Sequence, residues 1–362
     1  MAFYLPQYHP IPENDAWWGP GFTEWSNVAR ARPQFRGHHQ PHLPADLGFY
    51  DLRVPEVRER QAELATAHGI HAFCYYHYWF GGKRLLERPF AEVLASGQPR
   101  LPFLLCWANE NWTRAWDGGD ASLLVEQTYP DGDDLSHIRW LCTAFADSRY
   151  LRVDGRPAFL VYKASGLPDA RRTTDLWRAE AQRLGIGDLY LLRVESYREP
   201  KGDPEALGFD AAVEFQPDTR LLGPRVPPAA ARAVGRVFAP RSGRHRNVLH
   251  RYGDLVHRAL AAEQPGYKRY RCVTPAWDNS ARRRPALILT GSEPAAFGHW
   301  VERTVEAFQP YGGDENLLFL NAWNEWAEGN HLEPCQRFGT GFLEAHRDAI
   351  LASGRARPGG TP

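Results

Sequence analysis

Glu325 and Glu328 stand three residues apart in the run Trp323-Asn324-Glu325-Trp326-Ala327-Glu328-Gly329. Cleaving a glycosidic bond needs one carboxyl group that protonates the leaving oxygen and a second that serves as nucleophile or base. Two glutamates at this spacing can face one cavity if the chain turns between them. The flanking Trp323 and Trp326 would lower the local dielectric and help hold one carboxyl protonated near neutral pH. The spacing alone is weak evidence, since either glutamate could instead bind hydroxyls or pair with an arginine. Its company strengthens it: the 362 residues include 13 Trp and 15 Tyr, several clustered beside Asn, His and Glu. Each such aromatic taken singly is first a core residue. As clusters they suit a pyranose, whose C–H faces pack on rings and whose hydroxyls need polar partners.

Something must bring these residues to one place. Short, nearly continuous apolar runs recur at Ala2–Leu5, Ala72–Tyr76, Phe103–Trp107, Ala158–Tyr162, Leu189–Val194, Ala211–Phe215, Arg271–Pro275 and Leu317–Ala322. Runs of this kind are expected of parallel strands covered on both faces. Between them the pattern predicts helices over Val54–His68, Pro89–Ser96, Leu135–Ala146, Thr173–Leu184, Asn247–Ala262, Pro294–Phe308 and about Gly341–Leu351, with Gly69 and Gly185 as left-handed caps. Eight strand–helix alternations fit either a closed barrel or an open doubly wound sheet. The open sheet would carry a Gly-rich phosphate turn after its first strand, where this chain has Gln7-Tyr8-His9-Pro10. The expected fold is therefore a (β/α)₈ TIM barrel, one domain over residues 1–352 with long βα loops.

In such a barrel the active site forms where strands end and loops begin. Those positions yield Tyr8, His9, Glu24 and Trp25 after the first strand, and Tyr76, His77 and Trp79 in the second. The third gives Trp107, Asn109, Glu110 and Trp112, the fifth Glu195, and the sixth Glu214. Trp277 and Asp278 follow the seventh, and Trp323, Asn324, Glu325, Trp326 and Glu328 the eighth. The catalytic pair is expected to be Glu325 and Glu328, the others lining the substrate, although Glu195 and Glu214 could equally be partners of arginines. Asp131-Gly132-Asp133 has the form of a glycosyltransferase metal motif, but it lies in a polar turn where a helix should start. No histidines share metal-ligand spacing on one element, so neither a metal nor a cofactor is expected.

Composition narrows the partners. Lys and Arg number 43 against 43 Asp and Glu, which gives no argument for nucleic acid or an anionic membrane. Five scattered cysteines suggest neither a disulfide framework nor a zinc site. Met1 to Pro6 lacks a basic stretch before an apolar run, and no segment nears the roughly 18 apolar residues of a membrane span. A cytoplasmic protein is the expectation. The stretch 217–247 holds Arg220, Arg225, Arg232, Arg236, Arg241, Arg244 and Arg246 against the single acid Asp218. It reads as a solvated insertion, or as an arm over the site that could bind an anionic donor. The tail 353–362 is expected to be disordered.

The opening Phe3-Tyr4-Leu5-Pro6-Gln7-Tyr8-His9-Pro10-Ile11-Pro12-Glu13-Asn14 resembles the start of the WbsX-type proteins of bacterial polysaccharide gene clusters. So do Trp17-Trp18-Gly19 with Gly21-Phe22-Thr23-Glu24-Trp25, Phe73 to Phe80, Cys106 to Thr113, and Asn321 to Gly329. The resemblance runs from residue 2 to about residue 350 and weakens in the arginine-rich stretch. That family is in turn similar to glycoside hydrolase family 99, the endo-α-mannosidase and endo-α-mannanase barrels, whose Glu-Trp-x-Glu-Gly matches Glu325-Trp326-Ala327-Glu328-Gly329. The resemblance implies retention without an enzyme nucleophile. Glu325 would deprotonate the sugar 2-hydroxyl, which attacks the anomeric carbon to give a 1,2-anhydro sugar. Glu328 would act as general acid, then as general base for the incoming water or acceptor. A hydrolase or transglycosylase on an α-linkage of a bacterial glycan is thus the expectation. A glycosyltransferase using an activated donor is the alternative, and a non-catalytic sugar-binding barrel a third.

Overall fold

The computed structural model describes residues 1–114, 122–197, 199–226 and 247–353. The eight apolar runs form eight barrel strands: β1 (Ala2–Tyr4), β2 (Phe73–Phe80), β3 (Phe103–Trp107), β4 (Arg156–Val161), β5 (Tyr190–Glu195), β6 (Ala211–Glu214), β7 in two pieces (Arg269–Tyr270 and Cys272–Val273) and β8 (Phe319–Leu320). Neighbours in sequence pair in parallel from β1 through β6. The first piece of β7 pairs with β6, its second with β8, and β8 returns to β1. The sheet closes as a TIM barrel. The break in β7 falls at Arg271, whose guanidinium turns away to donate to the carbonyl of Ala262 at 2.7 Å.

Alternation along each strand decides which residues can reach the site. Phe3, Tyr76, Phe215 and Phe319 meet inside the barrel, with Phe3 ring centroids 5.4–5.7 Å from the other three, and Tyr162 joins them 5.2 Å from Phe215. At the N-terminal end, Tyr190 and Tyr270 share a 2.6 Å hydroxyl contact, and Tyr190 donates to Glu315. Residues one step out of phase, such as Tyr4, Tyr75 and Phe73, point outward into the layer beneath the helices.

Those helices follow the expected spans closely: Pro55–Ala67, Arg88–Ser96, Asp133–Phe145, Ala170–Arg183, Pro294–Glu306 and Gly341–Ala352. Gly69 and Gly185 both take φ +78 just past their helices, the left-handed conformation that glycine tolerates best. Gly298 lets the last two helices approach: a Cβ there would sit 3.2 Å from that of Ala345. Asp133 opens its helix and accepts the indole N–H of Trp79 at 2.9 Å, so Asp131-Gly132-Asp133 is a helix start.

Two expectations change. Asn247–Ala262 is not one helix: Val248–Arg251 is a strand pairing in parallel with Leu287–Thr290, and the helix runs over Tyr252–Ala261. A β-prone run that finds a partner some 40 residues away overrides the local helical pattern. The connection after β1 also carries helices at Pro12–Trp18 and Glu24–Arg30. Of the arginine-rich stretch 217–247, residues 227–246 lie outside the described residues, as does the tail from 354. Among the described residues no helix is long and apolar enough to cross a membrane.

Candidate active site

After β8 the chain makes a hairpin. Asn324–Glu325 pairs antiparallel with Asn330–His331, and a 3₁₀ turn at Trp326–Glu328 with Gly329 at φ +57 joins them. That turn is the bend which the E-x-x-E spacing requires. Asn324 pins it to the end of β1, its Oδ1 accepting the N–H of Leu5 at 2.7 Å and its Nδ2 donating to the carbonyl of Leu5 at 3.0 Å. Tyr8 caps the hairpin from the β1 loop: its hydroxyl donates to the carbonyl of Asn324 and accepts the N–H of Trp326 at 3.3 Å. Trp326 lies flat on His331 with centroids 3.7 Å apart, and its indole donates to Glu333 at 2.6 Å. Glu333 also accepts from Tyr50 at 2.8 Å and Gln61 at 2.6 Å. Burial pushes its carboxyl up to about 7 against these hydrogen bonds. Asn324→Ala is expected to cost about 1–3 kcal/mol, because the buried polar groups of Leu5 lose their partners. Urea titration checks this, and an unchanged midpoint would refute the strap.

Arg282 stands at the centre. It follows the short turn Asn279–Ala281, and its side chain is 7% exposed. Its guanidinium touches Glu24 at 2.9 Å, Glu325 at 3.2 Å and, through the other terminal nitrogen, Glu328 at 3.0 Å. Glu24 comes from the first turn of its helix and is fully buried. One cation thus holds three carboxyl groups from two distant loops.

Charge then follows from burial. Desolvation disfavours an ionised carboxyl, and neighbouring carboxylates add to it. Glu325 is pushed up to about 8 by burial, with Arg282 opposing and Glu328 and Glu24 reinforcing. Glu328 is raised for the same first reason, against Arg282 and Arg283. Burial works against the charge on Arg282, yet Glu24, Glu325 and Glu328 hold its pKa above the ordinary value. Burial and mutual repulsion thus bias the Glu325/Glu328 pair toward sharing a proton.

A glutamate raised in the folded state binds its proton more tightly there than when unfolded. Stability tied to Glu325 is present below its unfolded value of 4.5 and declines as pH rises toward 8. Glu325→Gln, which keeps Arg282 paired with Glu24 and Glu328, should therefore melt above wild type at pH 8, by a margin that narrows at pH 5. Calorimetry at the two pH values decides, and a pH-independent margin would contradict the assignment.

The expected site residues separate into groups. Tyr8, Trp25, Tyr76, Asn324 and Trp326 gather around Glu325 and Glu328: Trp25 packs on Tyr8 at 4.8 Å and Trp326 at 5.5 Å, and Tyr76 feels the charge of Glu325. Tyr78, not singled out before, does too, and Trp112 packs edge-on against it at 5.1 Å. Glu110 is exposed at the rim, 3.6 Å from Lys163. Asn109 bonds the backbone N–H and carbonyl of Lys163, both at 2.8 Å, a loop fastening. Trp323 is fully buried against Phe73.

Five residues point away from the cluster. His77, Trp79 and Trp107 occupy outward positions and pack with His137 beneath the helix Asp133–Phe145, His77 and His137 meeting at 3.0 Å. Strand alternation sends them there, whatever their polar edges. Glu195 also faces outward, bound by Arg193 at 2.9 Å, Arg269 at 3.4 Å and Tyr267 at 2.6 Å. Glu214, in register beside it, meets Arg271 at 3.5 Å. His9 turns its Nδ1 to the carbonyl of Pro6 at 3.1 Å. Trp277 and Asp278 lie across Gly329, where the N–H of Asp278 donates to the carbonyl of Glu328 at 2.6 Å. Among the described residues, no group of three His, Cys, Asp or Glu side chains is placed to hold a metal.

Residues 1–346 match the family model described as Glycosyltransferase WbsX. The chain belongs to the WbsX family. Over 354 residues it is 45% identical to a Xanthomonas campestris pv. campestris protein named "Uncharacterized protein WxcX", in strain ATCC 33913 and again in strain B100. That match covers 97% of this chain and 49% of the relative, so the chain spans about half the length of the curated relatives it matches. Among solved structures it is similar in fold to a GH99 endo-alpha-mannosidase from Bacteroides thetaiotaomicron. There the TM-score is 0.56 at 14% identity, covering 99% of this chain and 98% of that one. It is also similar to a "Glycoside hydrolase-like protein", with TM-score 0.54 at 13% identity, covering 85% and 89%. At such identities the likeness establishes the barrel. This WbsX-family chain is accordingly a barrel with a largely buried carboxylate cluster in the loops that follow its strands.

Proposed function

We propose that residues 1–352 form one catalytic domain that cleaves an α-glycosidic bond of a bacterial glycan with retention, passing the sugar to water or to another sugar. The observation that carries this is Arg282 holding the buried Glu325 and the partly buried Glu328 on adjacent nitrogens, both kept weak as acids. Glu328 gives its proton to the leaving oxygen as the C1–O bond breaks. Glu325 takes the proton of the substrate 2-hydroxyl, whose oxygen closes onto C1. Water or a sugar hydroxyl then attacks C1 and yields its proton to Glu328, while O2 leaves C1 and recovers its proton from Glu325. The reacting form carries the pair's one proton on Glu328 and leaves Glu325 ionised; in that form the raised pKa makes Glu325 a stronger base than an ordinary carboxylate. The internal nucleophile brings an effective-molarity advantage, up to about 10⁵–10⁸ M in well-oriented systems. The name GH99 endo-alpha-mannosidase on the fold relative supports this reading. The family description as a glycosyltransferase favours a second one, in which the same carboxylates serve transfer from an activated donor.

The test is an oligosaccharide in which the residue to be attacked lacks only its 2-hydroxyl. It should bind and remain uncleaved while the parent is turned over. Cleavage of both at similar rates would remove the 2-hydroxyl from the mechanism.

A further inference from the structure

A second hollow abuts the catalytic turn at Gly329, and none of Glu24, Arg282, Glu325 or Glu328 lines it. Its walls come from distant segments: Phe35, His39 and His42 from the β1 loop, Trp277 after β7, and His331 and Phe338 after β8. The space between them is about 130 Å³ and opens to solvent at its mouth, a hollow for one small unit and not for an extended ligand.

Hydrogen bonding fixes the chemistry of this lining. Asp278 is the carboxylate in it, and its oxygens are taken by His38 at 2.7 Å, Gln40 at 2.9 Å and the N–H of Ser280 at 3.0 Å. His38 Nδ1 accepts the N–H of Gln34 at 3.0 Å, so its proton is on Nε2 and the ring is neutral. His331 Nδ1 faces the carbonyl of Glu333 at 3.1 Å and must be its donor, which leaves Nε2 as an acceptor. Burial keeps this ring neutral, its pKa lowered to about 3, and His39 is lowered to about 4 by burial, then by His42 and Arg337. His42 stands edge-on between them, 5.0 Å from His39 and 5.7 Å from His331, with its Nε2 3.8 Å from the Asp278 carboxylate. The guanidinium of Arg337, the cation among the lining residues, lies over Phe338 at 4.7 Å. The cavity thus combines aromatic surface with imidazole nitrogens, one carboxylate and one guanidinium. An anion would meet the Asp278 carboxylate, and a purely apolar ligand would bury the imidazole nitrogens unpaired.

We infer that this cavity binds an uncharged pyranose unit, an ancillary sugar site one residue away from the proposed acid/base Glu328. Its rings pack on the C–H faces, and the imidazole nitrogens of His39, His42 and His331 exchange hydrogen bonds with hydroxyls. The inference rests on the glycan reading of the site above, but its test needs no turnover.

The test is titration of the ¹⁵N-labelled protein at pH 7 with the methyl α-pyranosides of mannose, glucose and galactose, and separately with glucuronate and inorganic phosphate. The indole N–H resonance of Trp277 is the reporter, assigned by its loss in Trp277→Phe or, if that variant fails to fold, by sequential connection to Ala276. A methyl glycoside should shift it saturably in wild type and in Glu325→Gln alike. His39→Ala, at a half-exposed position, should weaken that titration roughly fivefold, about the worth of one hydrogen bond. A Trp277 resonance unmoved by all three glycosides, or moved only by glucuronate or phosphate, overturns the inference, as does His39→Ala titrating like wild type. Loss of this site with Glu325 and Glu328 still essential would leave the proposed reaction standing. A responsive Trp277 beside dispensable glutamates would remove the reaction and keep the site.

Discussion

Glu328→Gln should lower turnover of an oligosaccharide roughly 10²–10⁴-fold, the usual contribution of a positioned acid or base, and an activated substrate should restore part of it. An aryl glycoside with a nitrophenolate leaving group needs no proton to depart, so its first step survives the loss of the acid. Glu325→Gln should lose a similar factor and recover nothing with that substrate, because the 2-hydroxyl proton still has no acceptor. The contrast between the variants separates the two roles, which a simple loss of activity in each would not. Gln preserves shape in a hairpin held independently by Asn324, Tyr8 and Trp326, so both variants should fold. Equal recovery in both would contradict the division of labour.

Arg282 carries the second large effect. Removing it as Arg282→Met leaves the buried Glu24 and Glu325 and the partly buried Glu328 without this cation, and breaking a buried ion pair from one side costs about 3–5 kcal/mol. Arg282→Lys is the more informative change. An ammonium is a point charge that cannot reproduce a planar fork, so Glu325 and Glu328 lose their common reference. Turnover should fall about 10²-fold, the cost of a misplacement near 1 Å. The pH profile moves as well. Arg282 opposes the rise of both pKa values, so a weaker cation lets them climb, and the acidic limb, set by ionisation of Glu325 in the coupled pair, shifts to higher pH. Steady-state kinetics from pH 5 to 9 measure this. A Lys variant with the wild-type profile would show that Arg282 serves structure alone.

The barrel was legible because its signal is local and repeated. Runs such as Phe103–Trp107 are apolar throughout, and only burial on both faces explains that. The same continuity hid which face each residue takes. In Tyr75–Phe80 every residue is aromatic, so nothing in composition tells Tyr76 and Tyr78, near Glu325, from His77 and Trp79, packed under a helix. Glu195 and Glu214 sat at strand ends as a site residue would, yet fell on the outward phase among arginines. Arg282 gave no signal of its own. Its meaning comes from Glu24, 258 positions away, and from the turn that brings Glu325 and Glu328 together. Glu333 was equally silent, since its role depends on Tyr50 and Gln61 arriving from other loops. The Glu325/Glu328 pair stood out because its chemistry is written within four residues. Its electrostatics lie in the fold.

Glycan cleavage should depend on that pair. Wild type, Glu325→Gln and Glu328→Gln should be incubated with oligosaccharides from bacterial polysaccharides and, separately, with nucleotide-sugars, and the products followed by proton NMR. The predicted result is a new reducing end of retained configuration, formed by wild type from an oligosaccharide and by neither variant. Turnover with nucleotide-sugars alone, or full activity in both variants, would contradict it.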